Sequence, residues 1–324
     1  MVTLKDIHEA QTRLRGVTVR TGLIQASLGE DGGGPDGRKL YLKPENLQPI
    51  GAFKLRGAYN KIASLSPEER SRGVITYSSG NHGQGVAYAA RALGAKAVIV
   101  MPNNAPAIKR EATASLGAEI VLVGPGSLER QTRAEELSAQ HGYVIVPPFN
   151  DEKIVAGQGT MGIEILEDLP EVETVLVPVG GGGMLSGVAT AIKLSKPSVK
   201  VIGIEPELAA DAQASLRSGK IVESTAEQAS QTMADGLRTQ SIGEINFEHI
   251  RLYVDDILTV SESEIREAML WLATNPKTVA EPSGAVAVAG FLFHEDQLPK
   301  TIMNVAIISG GNVDPNMLHE MRHI

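Results

Sequence analysis

The chain has 324 residues, room for about two domains, and its 42% hydrophobic and 21% charged residues are ordinary for a soluble globular protein. It has no cysteine, which excludes disulfides, thiolate metal sites and a cysteine nucleophile, and which fits a reducing compartment. With 30 Lys+Arg against 38 Asp+Glu the net charge is -8, and the absence of a basic run, with only 4% aromatics, argues against a nucleic-acid partner.

Met1 to Ala10 mixes charged and apolar residues and has no signal core. The apolar runs are strand length, so no membrane span is expected and the expected location is cytoplasmic. Gly29 to Gly37, with Gly32-Gly33-Gly34-Pro35, reads as a surface loop. Lys96 to Met101, Glu119 to Val123, Thr174 to Val179, Lys200 to Ile204 and Thr301 to Ile308 are continuous β-branched runs, the pattern of strands buried on both faces. Helix-length stretches lie between them. His82 to Leu93, Ala107 to Leu116 and Leu128 to His141 each stop at a glycine. Ser261 to Thr274 opens with the capping-box pattern Ser261-x-x-Glu264. Strands alternating with helices predict parallel α/β layers. No internal repeat is present.

Three loops fall at the carboxyl ends of predicted strands, where open parallel sheets bind ligands: Ser78 to Gly83, Gly180 to Gly183 and Ser309 to Asn312. Four consecutive glycines cost backbone entropy. Ahead of the apolar helix starting Met184-Leu185 they let several N–H groups crowd one anion, so a phosphate is the expected occupant. A nicotinamide-dependent oxidoreductase would use the same loop with Glu205 as the ribose acid. The G-x-G-x-x-G spacing fails, however, because Leu185 stands sixth from Gly180 and Met184 third from Gly182. No Walker lysine follows. Lys54, among small and apolar residues, reads either as a solvated lysine or as a desolvated nucleophile of lowered pKa. Ser78-Ser79-Gly80-Asn81-His82-Gly83 opens an Ala-rich helix and reads either as a carboxylate site or as an N-cap through Ser79 or Asn81.

A phosphate cradle, a candidate amine and a carboxylate loop point to a phosphorylated aldehyde cofactor and an amino-acid substrate. In order, the chain carries Phe53-Lys54-Leu55-Arg56-Gly57, Ser79-Gly80-Asn81-His82, Gly180 to Gly183, Glu205-Pro206, Ala234-Asp235-Gly236, Glu281-Pro282-Ser283-Gly284 and Ser309-Gly310-Gly311-Asn312. This ordered set resembles the fold-type II pyridoxal-phosphate (PLP) enzymes, specifically the threonine/serine dehydratase and serine racemase family. The resemblance covers nearly the whole chain. It implies two open twisted α/β domains, like the tryptophan synthase β subunit, with the cofactor in the cleft: a large PLP-binding domain of 1–72 and 149–324 and a small substrate-loop domain of 73–148. A homodimer is implied as well.

The resemblance also implies roles. Lys54 forms the Schiff base and then removes the substrate Cα proton. Gly180, Gly181, Gly182 and Gly183 with the Met184 N–H hold the phosphate. Asn81 bonds the ring oxygen, Phe53 packs on the ring, Ser309 faces the pyridine nitrogen, and Glu281 lies near the cofactor. Ser78, Ser79, Gly80, Asn81 and His82 take the substrate carboxylate. Glu205, Asp211 and the Ala209 carbonyl match a divalent-cation loop for Mg or Ca, or Mn, although two solvated acids at a helix start would read the same.

Ala52 stands where many relatives have serine. Leu55 and the Ser78 to His82 loop argue against the β-replacement synthases. With the chain stopping at Ile324, no C-terminal regulatory domain is expected. The expected reaction is β-elimination of water from threonine or serine, yielding a 2-oxo acid and ammonia. Ser79 occupies the position of the opposite-face acid/base of serine racemases, so racemase activity is the alternative, alone or alongside elimination. Larger substrates such as hydroxyaspartate or phenylserine are a further one. A non-catalytic PLP or amino-acid sensor is disfavoured by the intact Lys54 and Ser309.

Overall fold

The structure is a computed structural model and describes all residues except 30–33, 79, 106, 125 and 318–324. Ser79 and most of the Gly32-Gly33-Gly34-Pro35 turn therefore lie outside the described residues or at their edge.

Among the described residues ten strands form two sheets. They are β1 Ile24–Ala26, β2 Lys39–Pro44, β3 Val74–Tyr77, β4 Ala97–Pro102, β5 Glu119–Val123, β6 Val144–Ile145, β7 Thr174–Pro178, β8 Lys200–Pro206, β9 Asp256–Val260 and β10 Met303–Ile308. The larger sheet runs β1-β2-β10-β7-β8-β9, parallel except for the β1–β2 pair. The smaller runs β5-β4-β3-β6, all parallel.

The apolar runs behave as their composition dictates in the middle of each sheet. β4 and β7 are buried along their whole length, and β8 and β10 at all but the first residue. β5 differs from the expectation of burial on both faces. It is the edge of the smaller sheet, pairs only with β4, and leaves Leu122 47% exposed. Its sequence is as apolar as that of β4, but strand order, which no local pattern encodes, left it at the rim.

Each sheet has one point where the strand order reverses. In the larger sheet the chain winds β7-β8-β9 to one side and returns as β10 on the other side of β7. In the smaller it winds β3-β4-β5 and returns as β6 on the other side of β3. The loops after β7, β10, β3 and β6 therefore open at the two switch points.

The helix Lys54–Ala63 belongs to the packing of both halves. Its Leu55, Ala58 and Ile62 share a core with Val74, Val86, Ile99 and Met101 of the smaller sheet and its covering helix. Its Arg56, fully buried, pairs with Glu45 at 2.8 Å and Glu164 at 2.6 Å, and Glu164 also takes Lys43 at 2.6 Å. Two cations facing two carboxylates leave no net buried charge. Deleting one partner of such a set costs about 3–5 kcal/mol. Among the described residues no helix is long and apolar enough to cross a membrane.

Candidate active site

The four switch-point loops meet at a cleft of about 360 Å³. Its walls include Phe53, Lys54, Ser78, Gly80, Asn81 and His82 from one side, and Gly180 to Gly183, Met184, Glu281 and Ser309 from the other. The cofactor- and substrate-loop residues expected from the sequence are thus brought together, Ser79 lying outside the described residues. Glu205, Ala209 and Asp211 do not line the cleft.

Lys54 is the first residue of its helix, and Phe53 before it makes no side-chain cap. The Lys54 Nζ donates to the Pro148 carbonyl at 2.8 Å and lies 5.2 Å from the centre of the Phe53 ring. Burial pushes the amine pKa down to about 8. Roughly a tenth of it is then neutral at pH 7, against well under a thousandth for an ordinary lysine. The desolvated reading of this lysine is the one the packing supports.

Two helices begin at glycines facing the cleft. Gly183–Ser195 has Gly182 as its N-cap, in the left-handed region at φ 89°, and no side-chain cap. Asn81–Ala92 has Gly80 as its N-cap and again no side-chain cap. Asn81 is therefore not a cap, since its side chain bonds elsewhere. By contrast, Thr3, Ser66 and Ser261 complete capping boxes on helices remote from the cleft. The first N–H groups of a helix have no partner within it. An end closed by glycine leaves them to a ligand, and an anion suits the dipole.

Packing also demands glycine in the 180–183 loop. A Cβ on Gly181 would lie 2.3 Å from the Phe149 ring. Phe149 follows the loop after β6, and sequence reasoning missed both it and Pro148. The only local signal was the Pro147-Pro148-Phe149 break after a two-residue strand. Arg130, Arg238 and Thr239 also line the cleft and were not singled out.

His82 is 3% exposed, with its Nε2 3.0 Å from the Val146 carbonyl. A carbonyl only accepts, so Nε2 carries the proton and Nδ1 is bare. Burial, and then the nearby Lys54 charge, push its pKa down to about 3. The ring is neutral near pH 7, so any carboxylate held here is held by backbone amides rather than by a histidine cation. The Ser309 hydroxyl lines the cleft and lies 3.2 Å from the Ser283 carbonyl, to which it donates.

Away from the cleft, Glu205 accepts from the backbone N–H groups of Ala212 at 3.3 Å and Gln213 at 2.7 Å. Asp211 is 2% exposed and its Oδ2 has no hydrogen-bond partner. Burial raises both carboxyl pKa values, that of Asp211 to about 7. No group of three or more His, Cys, Asp and Glu is assembled for a metal among the described residues.

Two open parallel sheets with facing switch points, a part-buried lysine between them and glycine-closed helix ends on both walls define a fold-type II PLP enzyme. The family model for pyridoxal-phosphate dependent enzymes matches residues 19–310, and the chain belongs to that family, in its threonine/serine dehydratase and serine racemase branch. It is 49% identical to the L-threonine ammonia-lyase of Thermotoga maritima, over 98% of this chain and 77% of that protein. It is 42% identical to the L-threo-3-hydroxyaspartate ammonia-lyase of Saccharomyces cerevisiae, over 96% of this chain and 94% of that one. The solved structure of maize serine racemase superposes with a TM-score of 0.92 at 36% identity, covering 99% of this chain and 97% of that one.

Proposed function

We propose that the protein is an L-threonine/L-serine ammonia-lyase that removes water and then ammonia from a β-hydroxy amino acid to leave a 2-oxo acid. The observation that carries this is the Lys54 amine, its pKa lowered to about 8, in the same cleft as two glycine-closed helix N-termini. PLP supplies an electrophilic aldehyde and an electron sink for charge developing at the substrate Cα. Gly180 to Gly183 and the Met184 N–H would hold its phosphate, Phe53 would pack on the ring, Asn81 would donate to the ring oxygen and Ser309 would meet the ring nitrogen. Glu281, which lines the cleft, would border the ring.

The amides of the Ser78 to His82 loop hold the substrate carboxylate, with Ser79 among them. Lys54 Nζ takes the Cα proton, and the Pro148 carbonyl is placed to hold the amine while it does so. Residues 73–148 act as the unit that closes on substrate. Lys54→Ala should lower 2-oxo acid release from L-threonine and L-serine by on the order of 10³-fold or more. Turnover near wild type would sink the assignment.

Likeness to the maize racemase favours a second reading, a minor racemisation with Ser79 as base on the face opposite Lys54. Ser79→Ala should remove D-serine formation and spare elimination. Arg130 and Arg238 in the cleft favour including a substrate with a second carboxylate, such as L-threo-3-hydroxyaspartate, in the same panel.

The proposal extends to a divalent cation on Glu205, Asp211 and the Ala209 carbonyl. The buried, partnerless Oδ2 of Asp211 supports it, since a cation would offset the cost of that group. A chelator should lower the melting temperature, and restored Mg or Ca should return it. A homodimer in the cytoplasm completes the reading, and sedimentation and cell fractionation test it.

A further inference from the structure

Asn312 closes the last of the motifs, and neither the sequence reading nor the proposed chemistry uses it. Its Nδ2 donates twice, to the Ile50 carbonyl at 2.9 Å and to the Asn81 Oδ1 at 2.8 Å. The Asn81 Nδ2 in turn donates to the Glu281 Oε1 at 2.6 Å. The run Ile50–Asn312–Asn81–Glu281 joins residues far apart in the chain and reaches the cleft at Asn81 and Glu281.

Elementary donor and acceptor logic fixes its polarity. A backbone carbonyl can only accept, so the Asn312 atom facing Ile50 is nitrogen. That nitrogen also faces Asn81, so the Asn81 atom it meets is oxygen. The other end of the Asn81 amide is then its NH₂, which meets a carboxylate. Both ends of the chain are acceptors, and the amide of Asn81 cannot flip without facing like against like at two bonds. One hydrogen of the Asn81 NH₂ goes to Glu281 and the other is left for a ligand in the cleft.

The backbone is cleared for this arrangement. A Cβ on Gly51, itself at φ 71°, would stand 2.3 Å from the Asn312 Oδ1, and one on Gly310 would stand 2.2 Å from the Glu281 Oε1. The lysine segment and the 309–312 loop are also zipped together, with Phe53 N–H on the Ser309 carbonyl at 3.0 Å and Gly311 N–H on the Gly51 carbonyl at 2.9 Å.

We propose that Asn312 is a positioning residue that fixes the amide of Asn81 with its NH₂ toward the cofactor ring. This rests on the reading of Asn81 as a cofactor contact. Asn312→Ala removes the orienting donor and leaves Asn81 free to turn. Asn312→Asp does more, because an acceptor now faces the Asn81 oxygen and drives the amide to flip.

The test measures visible circular dichroism of the bound cofactor, its dissociation constant, and kcat and KM for L-threonine, on the reconstituted holoenzyme. Asn312→Ala should weaken cofactor binding roughly tenfold, the worth of one hydrogen bond to a charged group, and reduce the visible band. Asn312→Asp should exceed it in both, and in each variant kcat should fall more than KM rises. A visible band and dissociation constant like wild type in Asn312→Ala would overturn the proposal, as would an Asn312→Asp effect no larger than that of alanine. If the aspartate variant does not fold, the alanine result alone decides. Asn81→Ala separates the two layers. If it leaves the band unchanged, the reading of Asn81 itself fails. If it alters the band while the Asn312 variants do not, only the positioning role fails.

Discussion

The two glycine-closed helix ends in the cleft solve the same problem by opposite means. Gly183–Ser195 begins in a loop whose shape is set by exclusion. Phe149, Leu237, Asn246 and Ile250 press so close on Gly180 to Gly183 that a Cβ on any of the four would come within about 3 Å of a neighbour. Asn81–Ala92 begins in a loop whose shape is set by polar tethers, with Asn81 on Glu281 and Asn312, His82 on Val146, and the Gly80 N–H on Ser78 Oγ at 3.2 Å. Packed walls suit a group that stays bound, because interiors of this density do not deform continuously. Hydrogen-bonded walls suit a ligand that enters and leaves, because such bonds exchange with water at small net cost.

The largest effect should therefore come from the packed end. Gly181→Ala places a methyl 2.3 Å from the Phe149 ring, which should cost about 1–3 kcal/mol of stability in overpacking and weaken cofactor binding on the order of 100-fold. Adding Phe149→Ala should recover part of both. Thermal melts and cofactor titrations of the single and double variants check this, and a Gly181→Ala protein as stable as wild type would break the contrast.

Between the two walls stands Lys54, whose amine pKa is about 8. The rate at which cofactor-free protein takes up PLP should rise about tenfold per pH unit below that value and level off above it, since only the neutral amine attacks. An ordinary lysine would keep gaining to beyond pH 10, so a plateau above pH 10 in stopped-flow traces would contradict the burial argument.

The tethered end should show itself in acid. The His82 pKa is about 3 folded and near 6.5 unfolded. Between these values the unfolded chain carries a proton at this site that the folded chain does not. Its contribution is present above about pH 6.5 and is lost as pH falls toward 3, at up to about 1.4 kcal/mol per unit. Urea melts of His82→Gln across that range should show a flatter acid limb than wild type.

The smallest effect belongs to Gly83→Ala, whose Cβ would meet the Ile99 Cγ2 at 3.1 Å and the Ser78 Cβ at an ordinary 3.6 Å. The helix propensity gained on replacing glycine is about 1 kcal/mol and should roughly cancel that contact, leaving the melting temperature little changed. A loss as large as that of Gly181→Ala would erase the distinction between the two ends.

Local pattern is informative where short-range physics decides the structure. Glycine stops and the Ser261 capping box depend on residues within one turn of each other, and the helices Ser127–His141 and Glu262–Thr274 lie within a residue of their expected bounds. The apolar runs of β4, β7, β8 and β10 are strands because a sheet covered on both faces needs them to be apolar throughout. β1, β2, β6 and β9 escaped notice because two to six residues carry too little periodicity to stand out.

The sequence alone determined which side chains could do chemistry: an amine at Lys54, bare amides at Gly180 to Gly183 and a hydroxyl at Ser309, in an order shared with one enzyme family. Only the tertiary structure decided their partners. Lys54 meets Pro148 across 94 residues, Asn81 meets Glu281 across 200 and Asn312 across 231. Such contacts follow from the order in which strands enter each sheet. That order is settled by burying both faces of every sheet at once, a condition on the whole chain that no window of neighbours expresses.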